Sequence, residues 1–281
     1  MNKYICACCS DVGIRKKTNQ DSMLLKQIET KEGQIVFAVL CDGMGGMSKG
    51  ELASATVIRD FDQWFHNSFL LKGLDWNEQE VITQWKSVLS SSNQELIQYG
   101  NENKANLGTT ATAILLYPDM HGVFIHIGDT RIYQMHAGEK SAMIQLTTDH
   151  TFIAREMKMG RMTYEQAMHD PRRNALLQCI GVNESIFPET GRFQCEKGDI
   201  MLLCTDGFRH VVSTEEMQSS FEQTITDQTR RLDLPSHTNN LMEDTRVDQG
   251  VLKTWITNLT ELNKTRNEED NITSIAVYAC K

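Results

Sequence analysis

An acidic residue followed by glycines ends a long apolar segment of the chain. Residues 35–41 are continuously apolar, which is typical of a buried strand, and Asp42-Gly43-Met44-Gly45-Gly46 follows them directly. A carboxylate at the end of a strand can bind a hard metal ion. Glycine lets the backbone come close enough for its carbonyl oxygen to act as a second ligand. The segment therefore predicts a metal site at this strand end.

Four other aspartates stand beside predicted strands, namely Asp21, Asp129, Asp206 and Asp270. Taken singly, an Asp-Gly pair is an ordinary turn, and aspartate often caps a helix. Taken together, several carboxylates at buried strand ends would repel one another unless a cation neutralised them. Oxygen ligands favour Mg²⁺ or Mn²⁺, and the lack of His and Cys at these positions disfavours zinc.

The elements that must hold these residues follow from the spacing of apolar side chains. The predicted strands are 4–10, 22–25, 35–41, 110–117, 123–127, 131–135, 144–147, 200–204 and 272–279, and the predicted helices are 51–65, 78–99, 213–221 and 251–262. The cluster Ser90-Ser91-Ser92-Asn93 is expected to break the second helix, and the polar segment 224–249 to form a mobile loop. Short connections between strands imply antiparallel pairing, so the pattern indicates a layered α+β domain.

The composition of the 281-residue chain narrows the class of protein. Its net charge is −9, from 28 Lys and Arg against 37 Asp and Glu, which disfavours a nucleic-acid-binding surface. No apolar segment approaches the ~20 residues of a membrane span, and the N-terminus has no signal-peptide pattern. The eight cysteines lack a second closely spaced Cys or Cys/His pair and are expected to be buried reduced thiols. Together these features indicate a cytoplasmic protein without membrane or nucleic-acid partners.

Several motifs, in order along the chain, resemble those of the metal-dependent PP2C-type (PPM) protein serine/threonine phosphatases, specifically the bacterial branch. The motifs are Asp11-Val12-Gly13-Ile14-Arg15 with Asn19-Gln20-Asp21, Asp42-Gly43-Met44-Gly45-Gly46 with Gly50-Glu51 and Ala53-Ser54, Gly108-Thr109-Thr110, Ile127-Gly128-Asp129-Thr130-Arg131 with Tyr133, Leu146-Thr147-Thr148-Asp149-His150, Gly198-Asp199 with Thr205-Asp206-Gly207, and Asp270-Asn271-Ile272-Thr273. One such match would be weak, whereas this ordered set spans residues 11–273.

The resemblance implies a fold and a division of the chain. The fold is a four-layer α-β-β-α sandwich of two central antiparallel sheets flanked by helices, with a flap subdomain and with the metals at one end. A single phosphatase domain would cover residues 1–281, with the flap at about 150–175 and a polar insertion at about 224–249. The Met-rich, charged segment 152–168 is expected to be a mobile helical flap and the place of substrate selectivity.

The resemblance also implies a set of metal ligands for Mn²⁺ or Mg²⁺. Asp42 would bridge two ions, and the carbonyl oxygen of Gly43 would bind one of them. Asp206 and Asp270 would complete the other. Asp21 would reach the first ion through bound water.

The implied reaction is hydrolysis of phosphoserine and phosphothreonine in proteins by water activated between two metal ions, without a phosphoenzyme intermediate. Arg15 would contact the substrate phosphate, where arginine offers two donors. Asp129, with Asp206, would hold a third, weaker ion like that of bacterial relatives. Met44 stands where eukaryotic relatives carry a histidine, so the sequence leaves the proton donor for the leaving group open.

The resemblance implies phosphorylated proteins as substrates, with an opposing Ser/Thr kinase in the same cell, and we expect a monomer. The residues alone leave two other functions open. An inactive phosphatase-like binding module would lose acidic ligands, whereas all five aspartates are present. A structural Ca²⁺-binding domain would favour clustered Asp-x-Asp loops, which the chain lacks.

Overall fold

A computed structural model describes residues 3–45, 49–136, 143–231 and 247–280 of the chain. The strands are Tyr4–Asp11 (β1), Asp21–Glu29 (β2), Gln34–Gly45 (β3), Leu107–Thr109 (β4), Ala111–Leu116 (β5), His121–Ile127 (β6), Arg131–His136 (β7), Ile144–Gln145 (β8), Glu189–Gln194 (β9), Asp199–Cys204 (β10) and Ile272–Ala279 (β11). The helices are Lys49–Trp64 (α1), Leu70–Lys72 (α2), Glu78–Asn103 (α3), Phe152–Lys158 (α4), Tyr164–His169 (α5), Asp206–Arg209 (α6), Thr214–Arg231 (α7) and Gln249–Thr265 (α8). A π-helical turn, Phe65–Phe69, and a 3₁₀ turn, Gly73–Asp75, join α1 to α3.

The strands form two antiparallel sheets. Sheet one has the order β1-β11-β10-β7-β8, and sheet two has the order β2-β3-β5-β6-β9, with β4 paired to the end of β3. Every strand pairing in both sheets is antiparallel, as the short connections predict. The two sheets therefore match the predicted α+β class.

Strand β3 is buried on both faces, which explains its continuous apolar run. Val36, Ala38 and Leu40 point into a core between the two sheets, together with residues of β1, β10 and β11. Phe37 and Val39 point the other way, into a core made with α1 and α3. A strand covered on both sides has no polar face, so its sequence loses the usual alternation.

A third core lies between sheet one and the pair α7 and α8. Trp255 is fully buried there, its indole donates to the backbone oxygen of Met217 at 3.0 Å, and its ring lies 5.1 Å from that of Phe221. Ala276 and Tyr278 of β11 belong to the same cluster. Residues of β11 thus contribute to both the inter-sheet core and the helical core.

Two expectations about the helices are wrong. The serine cluster does not break α3, because Ser92 is buried and its hydroxyl bonds to the oxygen of Val88 at 3.0 Å and to Asp60 at 2.7 Å. The expected loop at 224–249 is helical as far as Arg231, since Ile225 is buried. Threonine hydroxyls in this stretch bond back one turn within α7. Residues 232–246 of that expected loop lie outside the described residues.

Other boundaries also differ from those expected. The segment 152–168 is helical but forms two short helices, α4 and α5, each capped by a threonine side chain. The strand expected at 144–147 is shortened to β8, and β4 and β9 carry too few apolar residues in sequence to have been predicted. The eight cysteines are free thiols, and five of them are buried as expected, whereas Cys8, Cys9 and Cys280 are partly exposed. In the part of the chain that the structure describes, no helix is long and apolar enough to cross a membrane.

Candidate metal centre

The five aspartates singled out in the sequence come together at one end of the two sheets. Asp21 at the start of β2 lies directly opposite Asp42 in β3. The pKa of Asp42 is raised well above its usual range by burial and by the charges of Asp21, Asp206, Asp129 and Asp270. Such mutual repulsion requires that the carboxylates share one region of space.

Burial and mutual repulsion leave these carboxylates short of positive charge. The pKa of Asp21 is raised to about 7 by burial and by Asp206 and Asp270, although a hydrogen bond from Thr273 opposes the rise. The pKa of Asp129 is raised to about 6 by burial and by Asp206, although the positive charge of Arg209 opposes the rise. Among the described residues, Oδ1 of Asp21 and Oδ1 of Asp206 are buried and have no hydrogen-bond partner. Unpartnered carboxylate oxygens in such a cluster fit divalent cations.

The backbone around Asp42 is fixed by two threonines, Thr109 at the end of β4 and Thr110 between β4 and β5. The Asp42 N–H donates to Oγ1 of Thr110 at 2.9 Å, and the Asp42 carbonyl accepts from Oγ1 of Thr109 and from the Thr110 N–H, both at 2.9 Å. The Thr110 hydroxyl lies 2.7 Å from that of Thr130, which follows Asp129. Strand β3 continues through Asp42 to Gly45, so Asp42 lies within the strand rather than after its end.

Gly43 is placed where no other residue fits. A Cβ atom at this position would lie 2.2 Å from the carbonyl oxygen of Gly50 in the first turn of α1 and 2.5 Å from that of Gln20. The Gly43 N–H donates to the same Gln20 oxygen at 3.1 Å. The hydroxyl of Ser54 donates to it as well, at 2.6 Å. The backbone of Gly43 is therefore held between α1 and the residue that precedes Asp21.

Asn271 ties the N-terminal loop to the start of β11, a role that the sequence analysis did not assign. Its side-chain amide donates to the backbone oxygens of Val12 at 2.9 Å and Thr18 at 3.2 Å, and its Oδ1 accepts from the Gln20 N–H at 2.9 Å. A Cβ atom at Gly207 would lie 2.2 Å from the Asn271 carbonyl oxygen. The signal in the sequence is the Asp270-Asn271-Ile272-Thr273 motif, to which Asn271 belongs.

Two basic side chains of the N-terminal loop lie at the rim of the cluster. Arg15 forms an ion pair with Glu269 at 2.9 Å, and their side chains are 68% and 57% exposed. Lys16 forms an ion pair with Asp270 at 2.7 Å, and these side chains are 41% and 37% exposed. Partial burial lowers the pKa of Lys16, but Asp270, Asp42 and Asp206 outweigh it and raise that pKa. Lys16 was not singled out in the sequence, although it adjoins Arg15.

Short helix α6 places two further residues at the site that the sequence analysis missed. Arg209 lies with Nη2 2.9 Å from the backbone oxygen of Asp129. His210 lies with Nε2 3.5 Å from Oδ2 of Asp206 and with Nδ1 3.5 Å from Glu268, which is buried. Burial lowers the pKa of His210, but the hydrogen bond to Glu268 and the charge of Asp206 raise it overall. Their spacing from Asp206, three and four residues on, is the helical signal that could have found them.

A second group of metal-ligating residue types lies beside Gly128, which precedes Asp129. Ligand atoms of His126, His150 and Glu189 lie within 4.8 Å of one another. His126 is fully buried in β6, and its Nδ1 lies 2.8 Å from Oγ1 of Thr112. Its Nε2 lies 3.1 Å from the Gly128 oxygen, and the Gly128 N–H donates to Nδ1 of His150 at 3.2 Å. Since both ring nitrogens of His126 are engaged by protein atoms, the group braces the Gly128 turn.

A cavity of about 660 Å³ lies away from this centre. It is lined by the turn between β5 and β6 and by Glu32 in the turn between β2 and β3. Those turns stand at the opposite end of the strands from Asp21 and Asp42. The acidic centre is therefore distinct from this cavity.

Comparison with known proteins identifies the family of the chain. The protein phosphatase 2C family model matches residues 14–244. A putative protein phosphatase 2C-type protein of Streptococcus pyogenes is 31% identical over 211 residues, which is 74% of this chain and 80% of that protein. The serine/threonine phosphatase of S. agalactiae has a similar structure, with a TM-score of 0.73 and 26% identity over 98% of this chain and 99% of that one.

A further similar structure is the catalytic domain of the phosphatase PstP in complex with two manganese ions, with a TM-score of 0.72 and 24% identity over 99% of both chains. At that identity the likeness concerns the fold alone. The family model covers well over half of the chain, and the S. pyogenes relative is matched over most of its length. The chain therefore belongs to the protein phosphatase 2C family and is a bacterial-type protein serine/threonine phosphatase.

Proposed function

We propose that the chain hydrolyses phosphoserine and phosphothreonine in proteins at a centre for two Mn²⁺ or Mg²⁺ ions. The observation that carries the proposal is the convergence of five aspartates in which buried oxygens of Asp21 and Asp206 lack partners. Carboxylates held together at such cost to their ionised forms suit a site that divalent cations fill.

The ligand roles are those that the family resemblance implies. Asp42 lies among the other carboxylates and would be shared by both ions. The Gly43 carbonyl would bind one ion, and Asp206 with Asp270 would bind the other. Asp21 would act through water. When bound, the two ions supply activation of the attacking water and positive charge for the phosphoryl group.

Arg15 is proposed to bind the phosphate of the substrate. It lies at the rim, and its partner Glu269 is mostly exposed. An exposed pair of this kind contributes little stability, so the guanidinium can exchange Glu269 for a phosphate at small cost. The planar guanidinium then offers two parallel donors to phosphoryl oxygens.

Attack by water rather than by a side chain is supported by the state of the cysteines near the centre. Cys41 and Cys204 are fully buried, and burial raises the pKa of Cys204 to about 12 and that of Cys41 well above its usual range. Both remain thiols at neutral pH, and a thiol is a poor nucleophile. No phosphoenzyme intermediate is expected.

The proposal extends to the organisation of the chain. One domain would cover residues 1–281 as a four-layer α-β-β-α sandwich, in which the segment at about 150–175 is a flap. Phosphorylated proteins would be the substrates, and a Ser/Thr kinase in the same cytoplasm would supply them. The enzyme would act as a monomer.

The test is release of phosphate from a phosphothreonine peptide in Mn²⁺, in EDTA, and with the variant Asp42→Asn. We expect activity in Mn²⁺, none in EDTA, recovery when Mn²⁺ is restored, and none for Asp42→Asn. The matched control is Asp75→Asn, an exposed aspartate in the turn before α3, which should retain activity. Activity that survives both EDTA and Asp42→Asn would refute the proposal.

A further inference from the structure

Arg209 places a positive charge inside the cluster of aspartates. Its Nη2 donates to the backbone oxygen of Asp129 at 2.9 Å and lies 3.5 Å from Oδ2 of the same residue. It lies 3.8 Å from Oδ2 of Asp149. The side chains of Arg209, Asp129 and Asp149 are only 11%, 12% and 11% exposed. Asp129 thus already has a buried cationic partner.

The second carboxylate that faces Arg209 is itself tightly held. Asp149 accepts two parallel bonds from Arg131, at 2.8 and 2.7 Å, and Arg131 also donates to the hydroxyl of Tyr133 at 2.7 Å. Burial would raise the pKa of Asp149, but Arg131 and Arg209 lower it overall. Two guanidinium groups therefore face two carboxylates here, and their formal charges balance.

Lys16 and Arg209 both pair with aspartates of the cluster, but Lys16 is partly exposed and Arg209 is largely buried. Lys16 pairs with Asp270 at the surface, where its side chain is 41% exposed and its flexible stem can swing into water. Arg209 is enclosed and anchored to a backbone oxygen as well as to carboxylates. Moving it away would leave buried charges without partners, which is much more costly than breaking an exposed pair.

The carboxylate oxygens that lack hydrogen-bond partners also distinguish Asp21 and Asp206 from Asp129. Oδ1 of Asp21 and Oδ1 of Asp206 are buried without partners among the described residues, whereas Oδ2 of Asp129 faces Arg209. A divalent cation placed beside Asp129 would also lie close to the guanidinium, and like charges at such distances repel strongly in a buried site. The residues present fit two ions on one side of the cluster and do not fit a third beside Asp129.

We propose that the guanidinium of Arg209 takes the place of a third metal ion at Asp129, so that this protein binds two divalent ions rather than three. This inference rests on the proposed two-metal function. Asp129 then acts as the partner of Arg209 and not as a metal ligand.

The test is the number of Mn²⁺ ions bound per chain, measured by equilibrium dialysis with elemental analysis and by native mass spectrometry. The wild-type protein should saturate at two ions as Mn²⁺ is raised into the millimolar range. The variant Arg209→Ala should take up one additional ion, and Arg209→Ala with Asp129→Asn should return to two. Arg192→Ala, an arginine that is 60% exposed on β9, is the matched control and should bind two.

Three ions on the wild-type protein, or an unchanged count of two on a folded Arg209→Ala variant, would overturn the role of Arg209. If circular dichroism shows Arg209→Ala to be unfolded, the single variant Asp129→Asn decides the matter. It should keep two ions if Asp129 is no ligand, and a lower count would refute the inference. A wild-type protein that binds no Mn²⁺ would instead refute the two-metal centre itself, so the two failures are distinguishable.

Discussion

Replacing Asp21 by asparagine should stabilise the metal-free protein at neutral pH. Asp21 is 9% exposed, and its pKa in the folded protein is raised from 3.8 to about 7. Between these values the folded protein keeps the proton that the unfolded chain has lost, so the free energy of unfolding falls as pH rises from about 4 to about 7. At about 1.36 kcal/mol for each pKa unit, the destabilisation at and above neutral pH is about 4 kcal/mol. Asparagine has no charge to lose and can still accept the hydrogen bond from Thr205.

The assay is urea unfolding in EDTA, followed by circular dichroism at pH 5 and pH 7.5. The wild-type protein should lose much of its stability between these pH values, whereas Asp21→Asn should lose less and be the more stable protein at pH 7.5. Asp75→Asn, at an exposed position, should follow the wild type. Added Mn²⁺ should make the wild type the more stable of the two proteins, because the ion binds the folded protein and the wild type keeps all its aspartate ligands. An Asp21→Asn variant that is less stable than the wild type in EDTA at pH 7.5 would refute the reasoning.

Three further substitutions test the N-terminal loop and the residues that contact it. Asn271→Ala removes the hydrogen bonds to Val12, Thr18 and Gln20. It should lower the free energy of unfolding in urea by about 2–3 kcal/mol and weaken Mn²⁺ binding. A loss below about 0.5 kcal/mol would contradict the role of Asn271 in holding the N-terminal loop. Arg15→Ala should raise KM for a phosphothreonine peptide by about tenfold, the loss of one charge-assisted contact, while Glu269→Gln should leave KM unchanged or lower it. An unchanged KM for Arg15→Ala would exclude phosphate binding by that residue.

The sequence predicted those strands and helices that bury one face, or both faces, over many consecutive residues. The continuous apolar run of β3 and the helical spacing of α1 and α8 are strong local signals, and each gave an element close to its observed place. Strand β9 was missed because only one of its residues, Phe193, is buried. The end of α7 was missed because threonines weaken the local helical signal, while the burial of Ile225 against sheet one is a tertiary effect.

The candidate site was predictable for the residues that lie in recognisable motifs. Asp42 and Gly43 could be singled out because a carboxylate and a glycine at the end of an apolar run are unusual together. Arg209 and His210 belong to no such motif, and their local signal is only the helical spacing of three and four residues from Asp206. What makes them part of the centre is the turn of α6, which carries both side chains back over Asp129 and Asp206.

The position of each basic residue determines which aspartates are free to bind a metal ion. The same burial that raises the pKa of Asp21 weakens the metal-free fold and strengthens the gain from a bound cation, because the ion removes the repulsion that burial creates. A cation from the protein removes that repulsion too, and where it is buried, as Arg209 is, it competes with a metal ion for the same carboxylate. An exposed basic side chain such as Lys16 can move into water when a metal ion binds, so it should not compete with the ion in this way. The number of ions bound should therefore depend on burial of the neighbouring basic residues as much as on the number of aspartates.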